Sequence, residues 1–553
     1  MSDDARLNII PLGGLGEIGK NMMAIRYQDI IVVIDSGLMF PEDELLGIDI
    51  VIPDITYLVE NKDKVKAILL THGHEDHVGA LPYVLKEINP PIYGSKLTLG
   101  IVEGKLKEHN LDNVKLNIVR PRDSINVGPL EIEFFRVSHS IPDAMGIAIH
   151  TPLGVIFHTG DFKIDQTPVD GQVIDFRKMA ELGEKGVLVM LSDSTNADRP
   201  GFTKSEKVVG NTFFELFGRC EGRIIVTTFA SNVHRIQQVI DTAVKYDRKV
   251  AIVGRSMVNN VKISTQLGYI DIPENTLIEM EEINKYPPEK IVVATTGSQG
   301  EPMSALTRMA TADHRWVGIN SGDTVIISAT PIPGNEKLVA KTIDLLFKQG
   351  AEVIYEKDMG VHVSGHASQE ELKLILNIIK PRYFIPVHGE YRHLMKHAKI
   401  AESLGIPHSR IFVAENGQII EISKKKAHVA GKVTAGKVLV DGLGVGDVGN
   451  IVLRDRRQLS QDGIMIVVVS INKENGEIVA GPDIVTRGFV YVRESEQLIE
   501  NAKAKVREAM EHCARKNITE WSVIKSQIRD KLGKHLYEKT GRRPMIMPII
   551  MEN

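Results

Sequence analysis

The sequence predicts an α/β fold made of several domains, and three observations support this prediction. A chain of 553 residues is too long for one hydrophobic core. Between residues 208 and 360, strand-like runs alternate with segments of helix length, which is typical of a parallel sheet covered by helices. The polar stretch "THGHEDHVGA" (71–80) follows the apolar run "VKAILL", so it lies where a buried strand ends.

The composition is that of a globular protein, with 43% hydrophobic residues, 25% charged residues and a net charge of −4. This balance argues against a chain whose whole surface binds nucleic acid, although it allows a local basic patch. The two cysteines, Cys220 and Cys513, argue against a disulfide framework and favour a reducing compartment. No signal pattern and no apolar run of about 20 residues is present, so we expect a cytoplasmic protein without a membrane span.

The first elements are the strand candidates "LNIIPL", "MMAIRY" and "IIVVID". The turn after the first, "GGLGEIGKN", has the glycine spacing of a dinucleotide-binding loop, and Asp35 follows 21 residues after Gly14. The segment before the next strand is too short for a crossover helix. Antiparallel strands, joined by a Gly-rich turn that leaves room beside a site, explain it better.

The next feature is the histidine loop, which contains His72, His74, Asp76 and His77. In an extended segment His72 and His74 point the same way, whereas Asp76 and His77 begin a helix and can face a second ion. Imidazole and carboxylate donors suit Zn²⁺ or Mn²⁺. The loop therefore predicts half of a two-metal site, and a polar strand-to-helix connection is the alternative.

"THGHEDH" resembles the signature of the metallo-β-lactamase superfamily of hydrolases. The other members of that family's set follow in order at strand ends: Asp35 in "VVIDSG", His139 in "SHSIPD" and Asp161 in "GVIFHTGD". The resemblance implies that Asp161 bridges two metal ions. It also implies that Asp35 supports the histidine loop without binding metal.

The insert at 208–360 resembles the β-CASP domain of nucleic-acid-processing members. Three further motifs supply Asp193 in "LSDSTN", His366 in "VHVSGHAS" and His388 in "FIPVHGEYRH". With these motifs, and with "FASNVHR" and "NIVLRDRR", the chain is similar to the ribonuclease J family over essentially its whole length.

This resemblance implies a metallo-β-lactamase αββα sandwich with an inserted β-CASP parallel α/β domain and a small α+β C-terminal domain. The expected boundaries are 1–207 with 361–423 for the discontinuous metallo-β-lactamase domain, 208–360 for the β-CASP domain, 424–450 for a polar linker and 451–553 for the C-terminal domain. Strands and turns are expected from 451, and helices from 495.

The resemblance also implies two ion sites, with His72, His74 and His139 in one, Asp76, His77 and His388 in the other, and Asp161 between them. Water activated by both ions would attack a phosphodiester in line. The implied catalytic residues are Asp76, Asp193 and His366. Of these, His366 would protonate or hydrogen-bond the leaving oxygen, and Asp193 would orient His366.

Two polar clusters are candidates for holding an RNA end: Ser231 and Asn232, and the run His362, Val363, Ser364, Gly365 and His366. The first cluster precedes a predicted helix, whose N-terminus can bind an anion. An ordinary N-cap is the alternative for Ser231. The resemblance favours a pocket for the 5′-monophosphate of single-stranded RNA.

For function, the resemblance implies a metal-dependent ribonuclease with 5′–3′ exonuclease and endonuclease activity in RNA maturation, including rRNA processing, and in mRNA decay. Homodimers or tetramers, including assemblies with a ribonuclease J paralogue, are implied as well. The alternative is a weakly active subunit that assembles with a more active paralogue. Some family members have altered metal motifs, but here every ligand position is filled. A small-ester hydrolase is disfavoured by the insert.

Two C-terminal features leave alternatives open. Residues 501–543 contain 12 Lys/Arg and five Asp/Glu, a local charge of +7. They form either a phosphate-contacting surface or a solvated helix face in an oligomerising domain. The loop "DGLGVGDVGN" (441–450), with Asp49, forms either a Ca²⁺ site or a set of tight turns.

Overall fold

The architecture is taken from a computed structural model that describes residues 6–42, 44–299, 304–332, 335–356, 359–472, 477–490, 495–516, 518 and 520–552. The described residues up to 40 and from 50 to 438 form one compact unit. Residues 41–49 and those from 439 onward form a second unit. Each unit is described by itself.

The strands of the described chain, in order, are β1 (Leu7–Gly13), β2 (Leu15–Gly16), β3 (Met22–Tyr27), β4 (Ile30–Ile34), β5 (Ile50–Pro53), β6 (Val65–Leu69), β7 (Ile92–Gly94), β8 (Leu116–Ile118), β9 (Ser124–Val127), β10 (Leu130–Arg136), β11 (Met145–Thr151), β12 (Gly154–His158), β13 (Val187–Asp193), β14 (Ile224–Thr227), β15 (Lys249–Val253), β16 (Ile291–Thr295), β17 (Thr324–Ile327), β18 (Glu352–Ile354), β19 (Tyr383–Val387), β20 (Gly389–Glu390), β21 (Gln418–Ile422), β22 (Ala427–Lys432), β23 (Lys437–Asp441), β24 (Gly444–Val445), β25 (Ile464–Ile471), β26 (Ile478–Arg487) and β27 (Met545–Glu552).

The α-helices of the described chain are α1 (Thr56–Glu60), α2 (Glu75–Val78), α3 (Leu81–Val84), α4 (Lys96–Glu108), α5 (Phe176–Lys185), α6 (Lys207–Arg219), α7 (Val233–Lys245), α8 (Arg255–Leu267), α9 (Ala305–Ala310), α10 (Glu336–Lys348), α11 (Gln369–Ile379), α12 (Tyr391–Ser403), α13 (Asn450–Asp462), α14 (Glu496–Arg515) and α15 (Trp521–Thr540). Among them, none is long and apolar enough to cross a membrane.

A sandwich of two sheets forms the core of the first unit. One sheet has the order β22-β21-β1-β3-β4-β6-β7-β8 and the other has the order β19-β13-β12-β11-β10-β9. Alternate apolar side chains of both sheets, such as Ile25 and Val32 from one and Phe134 and Ile147 from the other, are fully buried in one cluster. Helices α5, α11 and α12 cover the outer face of the second sheet. The predicted αββα sandwich is confirmed.

A parallel sheet in the order β15-β16-β14-β17-β18 forms the inserted part of this unit. Its strands are the five apolar runs that the sequence predicts between 208 and 360, and they are buried because helices lie on both faces. Helices α6, α7 and α8 pack on one face. Helices α9 and α10 pack on the other.

The second unit contains a sheet in the order β26-β25-β27, with β26 antiparallel and β27 parallel to β25. The apolar stripes of α14 and α15 pack on the face of β25 that carries Met465, Val467 and Val469. This arrangement is the predicted small α+β domain.

Three local predictions have specific outcomes. The Gly-rich turn does join antiparallel strands, because β1 pairs with β3 and β3 with β4. The segment 424–450 is not wholly irregular, since β22 pairs with β21 at the edge of the first sheet. The expectation of strands directly from 451 was wrong: residues 450–462 form α13, in which the apolar run "IVL" (451–453) is contiguous as in a strand and no residue is buried.

Candidate active site

The predicted site residues meet at one edge of the sandwich because they follow the carboxyl ends of strands that run in the same direction. Strands β4 and β6 are parallel in the first sheet. In the second sheet β12, β13 and β19 are mutually parallel. The residues that follow them are Asp35 after β4, the histidine loop after β6, Asp161 after β12, Asp193 at the end of β13 and His388 after β19.

Three histidines form the first donor group, which we call the His cluster: His72, His74 and His139. The His74 Nδ1 atom lies 3.0 Å from His72 Nε2 and 3.2 Å from His139 Nε2. Burial, reinforced by neighbouring imidazoles, lowers the pKa of His72 and His139 well below the usual value. Burial likewise lowers the pKa of His74 to about 4. The three rings are therefore neutral at pH 7, and their nitrogen atoms converge on one point.

The backbone of the 362–366 run fixes His139. Its Nδ1 donates a hydrogen bond to the Gly365 carbonyl at 2.8 Å, which leaves Nε2 as the atom that faces His74. A Cβ atom on Gly365 would lie 2.7 Å from His139 Cε1. Only glycine allows this close approach, so Gly365 holds a histidine of the cluster.

The second donor group, the acid cluster, contains Asp76, His77, Asp161 and His388. An Asp161 oxygen lies 3.1 Å from His77 Nε2 and 3.9 Å from His72 Nε2. The other Asp161 oxygen lies 3.0 Å from His388 Nδ1. Asp161 therefore lies against both clusters, at the position predicted for a bridging carboxylate.

Carboxylates determine the protonation of the acid cluster. Burial alone would lower the pKa of His77 and His388, but the Asp161 carboxylate raises both well above the usual value. Burial opposes ionisation of Asp161 and Asp76, yet the imidazoles beside them lower the pKa of both carboxyls. Without an ion, the acid cluster therefore holds negative carboxylates paired with protonated histidines.

The residues fit two divalent cations. Within each cluster the donor atoms lie within 4.8 Å of one another. Tetrahedral nitrogen donors at the usual zinc distance of about 2.0–2.1 Å are about 3.3 Å apart, close to the spacing in the His cluster. In addition, the buried His388 Nε2 atom makes no hydrogen bond within the described chain, although an Asp76 oxygen lies 3.3 Å away. A cation would satisfy it.

A group of polar residues outside the donor set holds His77. Its Nδ1 donates to Asp35 at 2.7 Å, and Asp35 also accepts hydrogen bonds from the Thr71 amide and hydroxyl. This is the supporting position expected for Asp35. The sequence did not single out Asn21, whose Nδ2 donates to the Asp76 carbonyl at 3.0 Å and lies 3.2 Å from His77 Nε2.

The Gly-rich turn before Asn21 does leave room beside the site. Gly13 and Gly14 line a cavity whose other walls include Asp161 and His388. A Cβ on Gly13 would lie 1.9 Å from the Lys20 carbonyl oxygen, so the turn requires glycine there.

His366 lies between the clusters, with its ring centroid 5.1 Å from that of His139 and 5.4 Å from that of His388. Its Nδ1 donates to Asp193 at 2.8 Å. Burial opposes protonation of His366, but the Asp193 carboxylate outweighs it and raises the pKa of His366. Asp193 is therefore placed to orient His366 with Nε2 directed away from the carboxylate.

The Ser364 hydroxyl oxygen accepts hydrogen bonds from two protein groups. It accepts from Asn196 Nδ2 at 2.8 Å and from the His366 amide at 3.2 Å. Because two donors already point at the oxygen, its own proton is directed elsewhere. Ser364 is half-buried, so this proton can be offered to a ligand.

Of the predicted pair Ser231 and Asn232, the structure makes Asn232 the N-cap of α7, since its Oδ1 accepts from the Arg235 amide at 3.2 Å. Arg235, one turn into α7, contacts His362 and Val363. The two predicted RNA-end clusters are therefore joined through α7.

Polar residues that sequence reasoning missed hold the 362–371 segment. Asn196 and Thr203 both donate to the His366 carbonyl, at 3.0 and 2.7 Å. The fully buried Glu371 carboxylate accepts from three backbone amides, those of Ile164, Thr203 and Ser368. The capping box Ser368–Glu371 is a local signal for Glu371, but no local signal identifies Asn196 and Thr203, which act on the distant His366 carbonyl.

The two C-terminal features are the loop at 441–450 and the basic stretch at 501–543, and the contacts seen there are with other protein groups. Asp49 accepts a hydrogen bond from the Gly442 amide at 2.8 Å, and Asp441 forms an ion pair with Arg456. In the part of the chain that is described, neither carboxylate belongs to a group of three or more candidate metal ligands, so the calcium hypothesis gains no support. On α14, Lys503 and Lys505 pair with glutamates of the same helix.

Family models match four parts of the chain. They are described as metallo-β-lactamase superfamily (residues 15–176), ribonuclease J β-CASP domain (221–346), Zn-dependent metallo-hydrolase RNA specificity domain (350–411) and ribonuclease J C-terminal domain (451–553). Together these matches confirm the predicted sandwich, insert and C-terminal domain.

Curated relatives match nearly the whole chain. Ribonuclease J2 from Bacillus subtilis (strain 168) is 49% identical over 547 residues, which cover 99% of this chain and 98% of that protein. Ribonuclease J 2 from Staphylococcus aureus (strain NCTC 8325 / PS 47) is 46% identical over 547 residues with the same coverage. Among solved structures, a protein of unknown function from Enterococcus faecalis V583 matches with a TM-score of 0.54 at 17% identity. The match covers 75% of this chain and 100% of that chain, and it shows a shared fold.

One family is indicated by the donor clusters, by the inserted parallel sheet and by the relatives that match nearly the whole chain. The chain belongs to the ribonuclease J family and is a nuclease hydrolase.

Proposed function

We propose that this chain is a metal-dependent ribonuclease that releases nucleotides stepwise from a 5′-monophosphate end of single-stranded RNA and also cleaves internally. The observation that carries the proposal is the pair of donor clusters on either side of Asp161, directly beside the 362–366 run. RNA maturation, including rRNA processing, and mRNA decay in the cytoplasm are the processes that such an activity serves.

The proposed ligands of one divalent ion are His72, His74 and His139, and those of the other are Asp76, His77 and His388, with Asp161 shared. Zn²⁺ and Mn²⁺ both accept these donors. Divalent ions held by these residues would supply an activated water and stabilise negative charge on phosphoryl oxygens.

The chain's own residues supply orientation and a proton. Asp35 holds His77 through Nδ1, and the Gly365 carbonyl holds His139 through Nδ1, so that both rings present Nε2 to the site. Burial opposes protonation of His366, but Asp193 raises its pKa and so favours the protonated ring. Its ring lies between those of His139 and His388, where Nε2–H can donate to the leaving oxygen of the phosphodiester. The proposed catalytic residues are thus Asp76, Asp193 and His366.

The 5′ end is proposed to bind at Ser364, whose hydroxyl proton is directed away from its two donors. The backbone of 362–366 and the α7 N-terminus with Ser231 and Asn232 complete the pocket. A terminal monophosphate held there fixes the scissile bond at a set distance from the donor clusters. A triphosphate adds charge and two phosphoryl groups to the same pocket, so we expect it to bind poorly.

A second candidate is a weakly active subunit that assembles with a more active paralogue, and the number in the relatives' names, ribonuclease J2 and ribonuclease J 2, is consistent with the existence of a paralogue. The complete donor clusters support the active enzyme instead. For assembly we propose homodimers or tetramers, including assemblies with a paralogue. We also propose that the chain divides into a metallo-β-lactamase part (1–207 with 361–423), a β-CASP part (208–360), a linker (424–450) and a C-terminal part (451–553).

The test is digestion of one labelled RNA in its 5′-monophosphate and 5′-triphosphate forms, after chelation and readdition of Zn²⁺ or Mn²⁺, with and without the paralogue. We expect metal-dependent release of mononucleotides from the monophosphate form by this chain alone. Ser364→Leu should suppress that release and spare internal cleavage, with Ser364→Ala as the milder comparison. If both activities fell together, Ser364 would serve general catalysis rather than end recognition. Activity that appeared only with the paralogue would favour the second candidate.

A further inference from the structure

Arg235, on the first turn of α7, is completely buried and has no role in the chemistry proposed above. Its guanidinium forms a two-point ion pair with Glu206, with Nε and Nη2 each 2.9 Å from a carboxylate oxygen. Burying such a pair costs several kcal/mol of desolvation per ion, so a stable core does not need it. The remaining contacts of the Arg235 guanidinium therefore indicate what else this side chain does.

Those contacts all involve the segments around the proposed RNA-end pocket. Nη1 donates to the Ser328 carbonyl at 2.7 Å and lies 2.8 Å from His362 Nδ1, and Nη2 donates to the Val363 carbonyl at 3.3 Å. With the two bonds to Glu206, each of the five guanidinium N–H groups has a partner. The side chain thus has one allowed position, and it holds the segment that leads into Ser364.

The contact with His362 also determines a tautomer. A guanidinium has N–H donors and no acceptor, so His362 Nδ1 must accept the hydrogen bond from Arg235. The proton of the neutral ring is therefore on Nε2. The backbone of Arg235 is fixed as well, because its amide donates to the N-cap residue Asn232.

We propose that Arg235 is a positioning residue for 5′-end recognition: it holds His362 in the Nε2–H form and keeps the 362–364 backbone in register with the N-terminus of α7. This proposal rests on the proposed function, because it concerns how the end pocket keeps its geometry. Arg235 touches neither donor cluster through any of its five hydrogen bonds, so we expect metal binding and internal cleavage to depend on it less than stepwise release does.

The experiment compares Arg235→Lys with Arg223→Lys in the full-length, metal-loaded protein. Arg223 is a matched control because it is also buried in the β-CASP part and forms a two-point ion pair, with Asp323, together with a bond to the Gly318 carbonyl. Both lysine variants keep the charge and lose the planar fork. Mononucleotide release is measured on a 5′-monophosphate RNA, and internal cleavage on a circular RNA that has no end.

For Arg235→Lys we expect stepwise release to fall about tenfold to a hundredfold, as displacement of a substrate by about 1 Å does. A larger KM for the monophosphate RNA should account for most of this loss, because the lost contact serves binding. Cleavage of the circle, metal content and Tm should match those of Arg223→Lys. Equal losses of both activities in Arg235→Lys, or the same change of ratio in Arg223→Lys, would overturn the proposal.

If Arg235→Lys does not fold, the same measurements are made on His362→Asn. Its Oδ1 can accept from Arg235 in place of Nδ1, while the Nε2–H donor is lost. The expected result is a selective loss of stepwise release, and an unchanged ratio of the two activities would refute the assigned tautomer role. A wild-type protein that did not distinguish monophosphate from triphosphate ends would instead refute the proposed end recognition itself.

Discussion

The His cluster and the acid cluster meet at Asp161, yet they have opposite electrostatic characters. The His cluster contains three neutral imidazoles whose pKa values are lowered, chiefly by burial. In the acid cluster, Asp161 and Asp76 raise the pKa values of His77 and His388 despite burial. Its Asp76 side chain is also 30% exposed, whereas the His72 side chain is fully buried.

Because of this difference, the two proposed ions would be bound by different means. The His cluster itself offers lone pairs on nitrogen, and its one nearby negative charge is the shared Asp161, so its affinity depends mainly on the rigid convergence of three rings. The acid cluster offers negative charge, but a cation must displace protons from His77 and His388 to bind there. Four predictions test the contrast.

The largest effect is expected from Asp76→Ala. The variant removes a carboxylate from the acid cluster, and charge stabilisation by a metal ion is worth several kcal/mol, so RNA hydrolysis should fall about a thousandfold or more. Turnover at saturating metal is the measurement, with circular dichroism to confirm folding. A folded Asp76→Ala protein with near-normal turnover would show that the acid cluster is not needed.

The next effect concerns metal affinity and compares His139→Ala with His388→Ala. Loss of His139 leaves two neutral imidazoles and the shared Asp161, whereas loss of His388 leaves two carboxylates and one imidazole. We expect His139→Ala to weaken binding at its site by at least about a hundredfold and His388→Ala to weaken its own site less. Metal analysis after dialysis reports both. Full occupancy of both sites in His388→Ala would remove that residue from the ligands.

A smaller effect is expected from Asp35→Asn. The carboxylate accepts from His77 Nδ1, and loss of such a partner lowers metal affinity or activity by about 10–100-fold. The acid cluster should be affected and the His cluster spared, because His139 is held by a backbone carbonyl. Asp198→Asn, which removes a carboxylate paired with Arg392, is the matched control. Equal weakening of both sites in Asp35→Asn would contradict separate support.

The smallest effect is a difference in proton release. At neutral pH the raised pKa values keep His77 and His388 protonated in the metal-free protein, so binding at the acid cluster should release about one to two protons. Binding at the His cluster should release none until the pH approaches 4, where His74 becomes protonated.

Calorimetric titration of the chelated protein in two buffers of different ionisation enthalpy measures the released protons. The affinity of the acid cluster should fall as the pH is lowered through neutrality, while that of the His cluster stays nearly constant. Equal proton counts for the two binding events would remove the electrostatic distinction between the clusters.

The sequence predicted much of the site because metal donors are rare in combination and their spacing is distinctive. The His72-to-His77 loop, His139, Asp161 and His388 could all be named, and the structure brings them together. Their supporting residues could not be named. Asn21 and Asn196 are common turn residues, and each acts on a partner at least 55 positions away.

In the fold, too, some elements could be predicted from the sequence and others could not. The parallel strands of the insert could be predicted because burial on both faces leaves continuous apolar runs. Helix α13 was not predicted, since its apolar run "IVL" (451–453) is contiguous as in a strand and none of its residues is buried in a core. Strand β22 was missed for a related reason, because four of its six residues are exposed.

The place of β19 in the second sheet has a consequence for how the protein is made. This strand pairs with β13 only after the chain has passed through the entire insert, and it carries His388 at its end. His72 and His388 are 316 residues apart, a stretch that a ribosome needs roughly 15–60 s to translate at about 5–20 residues/s. Throughout that interval the nascent chain lacks His388, although the His cluster is complete once His139 has been made, and we expect the chain to be inactive. A nuclease of this design is therefore switched on late in its own synthesis, after most of its message has already been read.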